Sequence, residues 1–537
     1  MLLCLFRPAP GRSFVSPRRG AAVLSLLAVA LFSGTSAQAQ EAKFNIFEYR
    51  VEGTTLIPAL TVEKAVYPHM GEQKTLDDVE KAREALEKAY HGVGYLTVLV
   101  TIPQQRVNEG VVRLAVTEAP VDRLRVVESR YFDQGAIRAG APELAEGNVP
   151  NFQDMQTELT ALNRNADRRV TPVLRPGKTP GTVEVDLKVQ DKLPLHGSVE
   201  LNDRYSPDTS RTRLNASVRY DNLWGKQHSI GLSLQTAPSN PSESQVFSVN
   251  YTIPLAGGEF LALYGVKSDS DVSAVGTLNV VGRGTILGAR YIKPLPGSDS
   301  FFHSASFGVD VKDFDQSVNL IGSGGFNTPI KYTPFTIGWD GTRLTEQGTT
   351  RLGVSFNFNV QGLGSDEQEF ADKRFKGRPS YAYLRGHASQ ERTLTNNYGV
   401  AVRTTWQMAG QPLISNEQFA IGGVDTVRGY LESAALGETG LAVSLEGKSP
   451  NFKGRFPSLG EAVTDLHAIA FVDAGTVRVL EPITATSRFT LASLGLGLRL
   501  KGFNGLDAAL QWAYPLKAVG NTARGDHRFH FSVAYEW

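Results

Sequence analysis

The last nine residues, 529–537, read FHFSVAYEW. Phe529, Phe531, Val533, Tyr535 and Trp537 alternate with His530, Ser532, Ala534 and Glu536. A period of two puts the apolar side chains on one face of a strand and the small or polar ones on the other. The pattern recurs upstream. Leu494, Leu496, Leu498 and Leu500 alternate with Gly495, Gly497 and Arg499. Ile230, Leu232 and Leu234 alternate with Gly231 and Ser233, and Leu214, Ala216, Val218 and Tyr220 with Asn215, Ser217 and Arg219. From about His196 onward no helical period is left. A soluble β-sandwich alternates too, so one strand decides nothing. This pattern, however, fills residues 196–537, far more than one sandwich of ~100 residues needs. Aromatic residues gather near strand ends (Tyr220 and Trp224; Trp512 and Tyr514), as in the girdles of membrane barrels.

Those features predict a transmembrane antiparallel β-barrel over 196–537. In lipid an open sheet would leave backbone groups unpaired at a cost of several kcal/mol each, so the sheet must close. At roughly 20 residues per strand plus connection, this length holds about 16 strands. Phe531, Tyr535 and Trp537 are the expected C-terminal barrel signal, on a last strand that must pair with the first.

The opposite end of the chain carries a targeting signal. Arg7, Arg12, Arg18 and Arg19 precede an apolar run, Ala21 to Phe32, and Ala37-Gln38-Ala39 follows with small residues at cleavage spacing. Residues 1–39 read as a signal peptide. Twelve apolar residues are too few for a helix to span the ~30 Å of a bilayer. Losing this segment takes the net charge from +1 to −3 and removes Cys4, the only cysteine. No disulfide within the chain is then possible, and a cysteine metal site is excluded.

Between these ends lie two small α+β units, 44–118 and 121–191. The first reads strand, helix, helix, strand, strand. Thr75 and Asp78 mark a helix start, and Val79, Ala82, Leu86 and Ala89 follow at helical spacing. Tyr95 to Thr101 (YLTVLVT) reads as a strand, and Val112, Leu114 and Val116 alternate in another. In the second unit Asn151 can cap a helix faced by Met155, Leu159 and Leu162. Val183, Val185, Leu187 and Val189 alternate with charged residues.

The 537 residues carry 55 Lys and Arg against 54 Asp and Glu, without the basic surplus of a nucleic-acid binder. The nine histidines are scattered, and HExxH, GxSxG and GxxxxGK[ST] are missing. Zinc-protease, hydrolase and P-loop readings therefore lack their minimum parts, and no enzyme, cofactor or metal is expected.

Two motifs remain. Residues 416–446 read NEQFAIGGVDTVRGYLESAALGETGLAVSLE, and 471–475 read FVDAG. With paired α+β units ahead of a barrel, they resemble the two-partner secretion transporters, the ShlB/FhaC/HecB haemolysin secretion/activation family. The N-terminal units resemble its POTRA (polypeptide-transport-associated) domains, with Gly94-Tyr95 through Gln105 and Gly110 similar to the first signature. The resemblance implies an outer-membrane pore that secretes, or secretes and activates, a partner exoprotein such as a haemolysin or adhesin. It implies POTRA domains in the periplasm capturing the unfolded substrate, outer-membrane lipid around the barrel, and barrel-assembly machinery during insertion. It further implies that Val427, Arg428, Gly429 and Tyr430 cap a long extracellular loop folded back into the lumen. Arg428 would there meet Asp473 on an inner wall that also carries Phe471 and Gly475. Many members carry a plug helix before the first POTRA unit. Only Gln40 to Lys43 lie between the expected cleavage and the first strand here, so no such helix is expected. An assembly factor that inserts other barrels is the alternative within the superfamily, although such factors usually carry more POTRA units. A passive porin needs no periplasmic domains.

Overall fold

A computed structural model describes residues 43–537 other than 108, 207–208, 271, 276–277, 282, 316 and 319–325. The expected signal peptide lies outside the described residues. Two compact units divide the chain, the first built mainly from residues up to 122 and the second containing the barrel.

In the first unit a ribbon of β1 (Phe44–Ile46) with β3 (Gly71–Lys74) accompanies a sheet of β2 (Glu48–Glu52), β5 (Val111–Thr117) and β4 (Leu99–Thr101). Helices α1 (Ala59–Val66) and α2 (Leu76–Gly92) supply the apolar face that packs with it. Ile46, Leu86, Tyr90, Val98 and Leu114 are fully buried in this core. At the start of α2, Asp78 accepts the Thr75 N–H at 3.0 Å. The strand expected over Tyr95–Thr101 is shorter and begins at Leu99. Gly94 takes φ +103°, and the Tyr95 N–H turns back onto the Tyr90 carbonyl at 3.1 Å. Closing α2 in this way uses backbone that β-propensity alone assigned to the strand.

The following segment forms β6 (Val121–Val127), α3 (Gln134–Ala139), α4 (Phe152–Leu162), β7 (Arg168–Pro176) and β8 (Val183–Asp191), its strands in the order β6-β8-β7. Helix α3 was not foreseen, although Asp133 caps it by accepting the Ala136 N–H.

From β9 (Leu195–Asn202) to the final strand Arg528–Glu536 the chain closes a sixteen-stranded antiparallel barrel. One strand is broken: Ile330–Tyr332 and Phe335–Thr345 both pair with Phe301–Phe314, on either side of Thr333-Pro334. Proline offers no N–H to the ladder, which explains the break. Leu201, Leu232, Phe247, Leu287, Ile337, Leu384, Leu445, Val472, Leu496 and Phe529 all face outward and exposed. A band this large on every side fits a lipid face and no water-soluble one. The last strand pairs with β9, Ser532 opposite Asn202 and Glu536 opposite Ser198. Trp537 adds two backbone bonds to Gly197, at 3.1 and 3.2 Å. Its indole lies where a side chain on Gly197 would stand, so glycine there makes room for the terminal aromatic. Phe531, Tyr535 and Trp537 share the outer face, with Tyr535 and Trp537 stacked at 6.2 Å.

Candidate functional site: a loop pinned inside the barrel

Residues 410–438 connect the strands Gly399–Ala409 and Thr439–Lys448. This loop makes its own small hairpin, Phe419–Ile421 against Ala435–Gly437. Gly422 and Gly423 take positive φ, and Thr426 Oγ1 accepts the Gly422 N–H at 2.8 Å. The chain beyond presents Val427-Arg-Gly-Tyr430, all four buried.

Arg428 is 3% exposed. Its Nε donates to Asp473 Oδ2 at 2.7 Å and its Nη2 to Asp473 Oδ1 at 2.9 Å, a two-pronged pairing that only arginine can make. Nη1 donates to Glu446 at 2.8 Å and to Gln511 at 3.0 Å, and Nη2 also reaches Ser444 at 3.1 Å. The backbone N–H of Arg428 adds a third bond to Asp473. The guanidinium lies 3.4 Å above the centroid of Phe471. All five of its N–H directions are thus occupied or stacked, which is the condition for keeping a charge out of bulk water.

The strand Val463–Arg478 explains why FxDxG has its spacing. Its inward side chains recur every second residue. Phe471 supplies the ring beneath the guanidinium and Asp473 the carboxylate. Gly475 leaves space for Val427, whose Cγ2 would stand 3.0 Å from a Cβ there. Gly429 takes φ +89° and packs against Ala513 and Pro515, so the turn needs glycine. Tyr430 is fully buried, its hydroxyl 2.8 Å from the Lys517 carbonyl. The structure therefore brings together Val427, Arg428, Gly429, Tyr430, Phe471, Asp473 and Gly475. Phe531, Tyr535 and Trp537 lie apart, on the outer face.

Sequence reading missed the rest of the anchorage. Glu446 also binds Arg499 at 2.7 Å, so its charge is shared among arginines. The Gly429 N–H donates to His530 Nε2 at 2.9 Å. At the other end of the loop Glu417, 2% exposed, accepts from Lys312 at 2.6 Å, Tyr332 at 2.6 Å and Tyr383 at 2.7 Å. Glu438, fully buried, receives Arg374 at 3.1 Å and Gln418 at 2.8 Å. Arg374 follows the short helix α5 (Glu367–Lys373) in the neighbouring loop. For Glu446 and His530 only alternation marked the position: both sit on the inward-facing steps of their strands. Among the described residues one group could approach a metal: Asp167, His196 and Asp221. Lys192 pairs with Asp167 at 3.2 Å and Arg219 with Asp221 at 2.8 Å, so both carboxylates already have cations. The group is an ion-pair network around His196.

A closed barrel with a lipid-facing belt, a loop pinned in its lumen and an α+β unit ahead of it defines a transmembrane β-barrel protein with an N-terminal α+β extension. Two family descriptions match the chain: "POTRA domain, ShlB-type" over residues 44–119, and "Haemolysin secretion/activation protein ShlB/FhaC/HecB" over 181–285 and 328–500. The second covers just over half of the chain, and the chain belongs to that family: it is an outer-membrane transporter of the two-partner secretion type. It is 22% identical to the heme/hemopexin transporter protein HuxB of Haemophilus influenzae over 484 residues, 87% of this chain and 82% of HuxB. Against the outer membrane transporter CdiB of Dickeya dadantii it is 22% identical over 433 residues, 74% and 71% of the two chains. CdiB from Escherichia coli has the same fold, with a TM-score of 0.62 at 19% identity over 94% of this chain and 92% of that one. BamA from Haemophilus ducreyi lacking POTRA domains 1–3 reaches 0.58 at 16% identity, over 92% and 100%.

Proposed function

We propose that the chain exports one partner exoprotein from periplasm to cell surface, with the loop of 410–438 as the resting gate of its pore. The observation that carries this reading is the Arg428–Asp473–Glu446 network. It fixes a long loop inside a lumen that must be cleared before a polypeptide can pass. Polar anchors suit such a gate, because water entering an opened lumen solvates the groups that separate. No NTP-binding motif is present, so folding of the emerging passenger outside would supply the drive.

We read 121–191 as a second POTRA unit, and both units as the capture site for the unfolded passenger. In the first unit β5 is flanked by β2 and β4. Beyond the short β4, the Gln105 side chain takes over, accepting the Arg113 N–H at 2.7 Å and donating to the Arg113 carbonyl at 2.8 Å. That edge of β5 is already satisfied, and on β4 the Val100 N–H and carbonyl are taken by Glu87 and Arg83 of α2, which leaves β2 as the edge for an extended passenger segment to join. Deleting residues 44–191 while retaining leader and barrel should abolish secretion with the barrel still inserted. Continued secretion would refute the capture role. The passenger itself is read from the neighbouring open reading frame, where a long, repeat-rich secreted protein is expected.

A further inference from the structure

The barrel is least well sewn where its ends meet. The final strand and β9 share five paired positions, 532–536 against 198–202. Each of these two strands shares eight with its other neighbour. Toward the extracellular side the paired positions stop at Ser532, and one backbone bond and the Asp203 side chain take over. The Phe531 N–H donates to Asp203 Oδ1 at 2.9 Å, and the Asp203 N–H reaches the Phe531 carbonyl at 3.3 Å. Asp203 Oδ2 lies 2.9 Å from His530 Nδ1, and both residues are buried.

The same histidine meets the loop. Its Nε2 accepts the backbone N–H of Gly429, the residue after the pinned arginine. A backbone N–H can only donate, so Nε2 is unprotonated and Nδ1 carries the hydrogen that goes to Asp203. The donors converge on Asp203, from Gly429 through His530 on one side and directly from the Phe531 N–H on the other, and this chain of bonds spans the seam. Nearby contacts run the same way. Arg204 pairs with Asp425 of the loop at 2.7 Å, the Tyr205 carbonyl accepts the Glu432 N–H at 3.2 Å, and the Tyr205 hydroxyl accepts from Arg528 at 2.5 Å.

We propose that His530 and Asp203 are positioning residues that couple the loop tip to closure of the seam, so that the loop leaves the lumen as the extracellular half of the seam loosens. The proposal rests on the loop being the gate, and the experiment separates the two claims. Asp203→Asn is the sharpest variant. An asparagine must set its NH2 group against either the Nδ1–H or the Phe531 N–H. Either the histidine shifts its hydrogen to Nε2 and loses Gly429, or the seam bond is lost. His530→Ala removes the link outright, while His530→Gln keeps an acceptor and a donor.

The measurement is single-channel recording of the full-length mature protein in planar bilayers, with heat-modifiable gel mobility as the check on folding. Asp203→Asn and His530→Ala should raise the frequency of large openings about five- to hundredfold, and His530→Gln should restore most of the parental level. The mature chain is expected to be free of cysteine, so Glu200→Cys with Ala534→Cys, which are paired across the seam, can be oxidised to lock it. In the locked protein the excess openings should disappear and reducing agent should bring them back. Parental conductance in folded Asp203→Asn or His530→Ala, or excess openings that persist through the lock, would overturn the coupling. If Arg428→Ala alone raises conductance, the gate stands and the coupling falls. If neither set of variants does, both fall.

Discussion

Replacing Arg428 by alanine removes the five hydrogen bonds that its guanidinium makes. The partners do not suffer equally. Glu446 keeps Arg499 at 2.7 Å and Arg403 at 3.5 Å. Asp473, 1% exposed, loses every side-chain donor it has among the described residues. Removing one partner of a buried pair costs about 3–5 kcal/mol, chiefly because the other charge stays behind. As a shift between held and released loop, that is about a hundred- to a few-thousand-fold. Arg428→Ala should open the channel frequently in planar bilayers and uncouple secretion from passenger binding. Arg428→Lys retains the charge but not the fork, and should fall between parent and alanine. The double variant Arg428→Ala/Asp473→Ala leaves no stranded carboxylate, so its effect should be smaller than that of Arg428→Ala alone. An inserted, heat-modifiable Arg428→Ala protein with parental conductance and secretion would refute the pin. A double variant worse than the single would refute the stranded-charge explanation.

Other anchors can be tested separately. Glu417→Ala strands Lys312 beside two tyrosines and should destabilise the barrel by about 3–5 kcal/mol, seen as a lower unfolding temperature in detergent. Glu417→Gln, able to keep the tyrosine bonds, should lose less, and equal losses would remove the charge argument. Deleting Trp537 takes away the last two backbone bonds of the seam and the ring over Gly197. The folded fraction in outer membranes, read from gel mobility, should fall. At the start of α2 the Thr75 N–H holds the Asp78 carboxyl below its ordinary value. A lowered value contributes stability above the unfolded-state pKa, and that contribution is lost as pH falls through the folded one. Hydrogen exchange of the first turn of α2 should quicken beneath the ordinary aspartate range, and Asp78→Asn should flatten that dependence.

The barrel was legible because its two faces meet different solvents, and a period of two records the difference residue by residue. Leu494, Leu496 and Leu498 are exposed to lipid, while Leu491 and Ser493, just before them, are buried against the interior. The paired motifs were legible as residue types. Their partners were not, because the contacts are remote in sequence. Arg428 reaches across 45 residues to Asp473 and 83 to Gln511, and Gly429 across 101 to His530. An acidic residue in a loop, such as Glu417, reads as solvated until the fold sets two tyrosines and a lysine around it. The over-long strand at Tyr95 fails for the opposite reason. Local propensity was right for an extended chain, but the fold needed those residues to end a helix.

The composition of the lumen bears on how a plug can be both secure and removable. The loop is held by two kinds of contact. Phe419, Ile421, Val427 and Tyr430 pack with Val477 and Leu491 of the wall, an attachment that scales with area and has no preferred register. Arg428, Glu417 and Glu438 supply direction, since each is met by several groups at fixed angles. An apolar plug alone could slide or refill the lumen in several poses. The ionic anchors allow one. The cost of breaking them also depends on the state reached. In a dry, closed lumen the separated charges would be stranded, whereas in an open, wet one water takes the place of the lost partners. For the loop as the proposed gate, the barrier is expected to fall as opening proceeds, and movement as a unit between two poses is predicted. Graded leakage of small ions through the parent barrel, with no discrete step in conductance, would contradict that account.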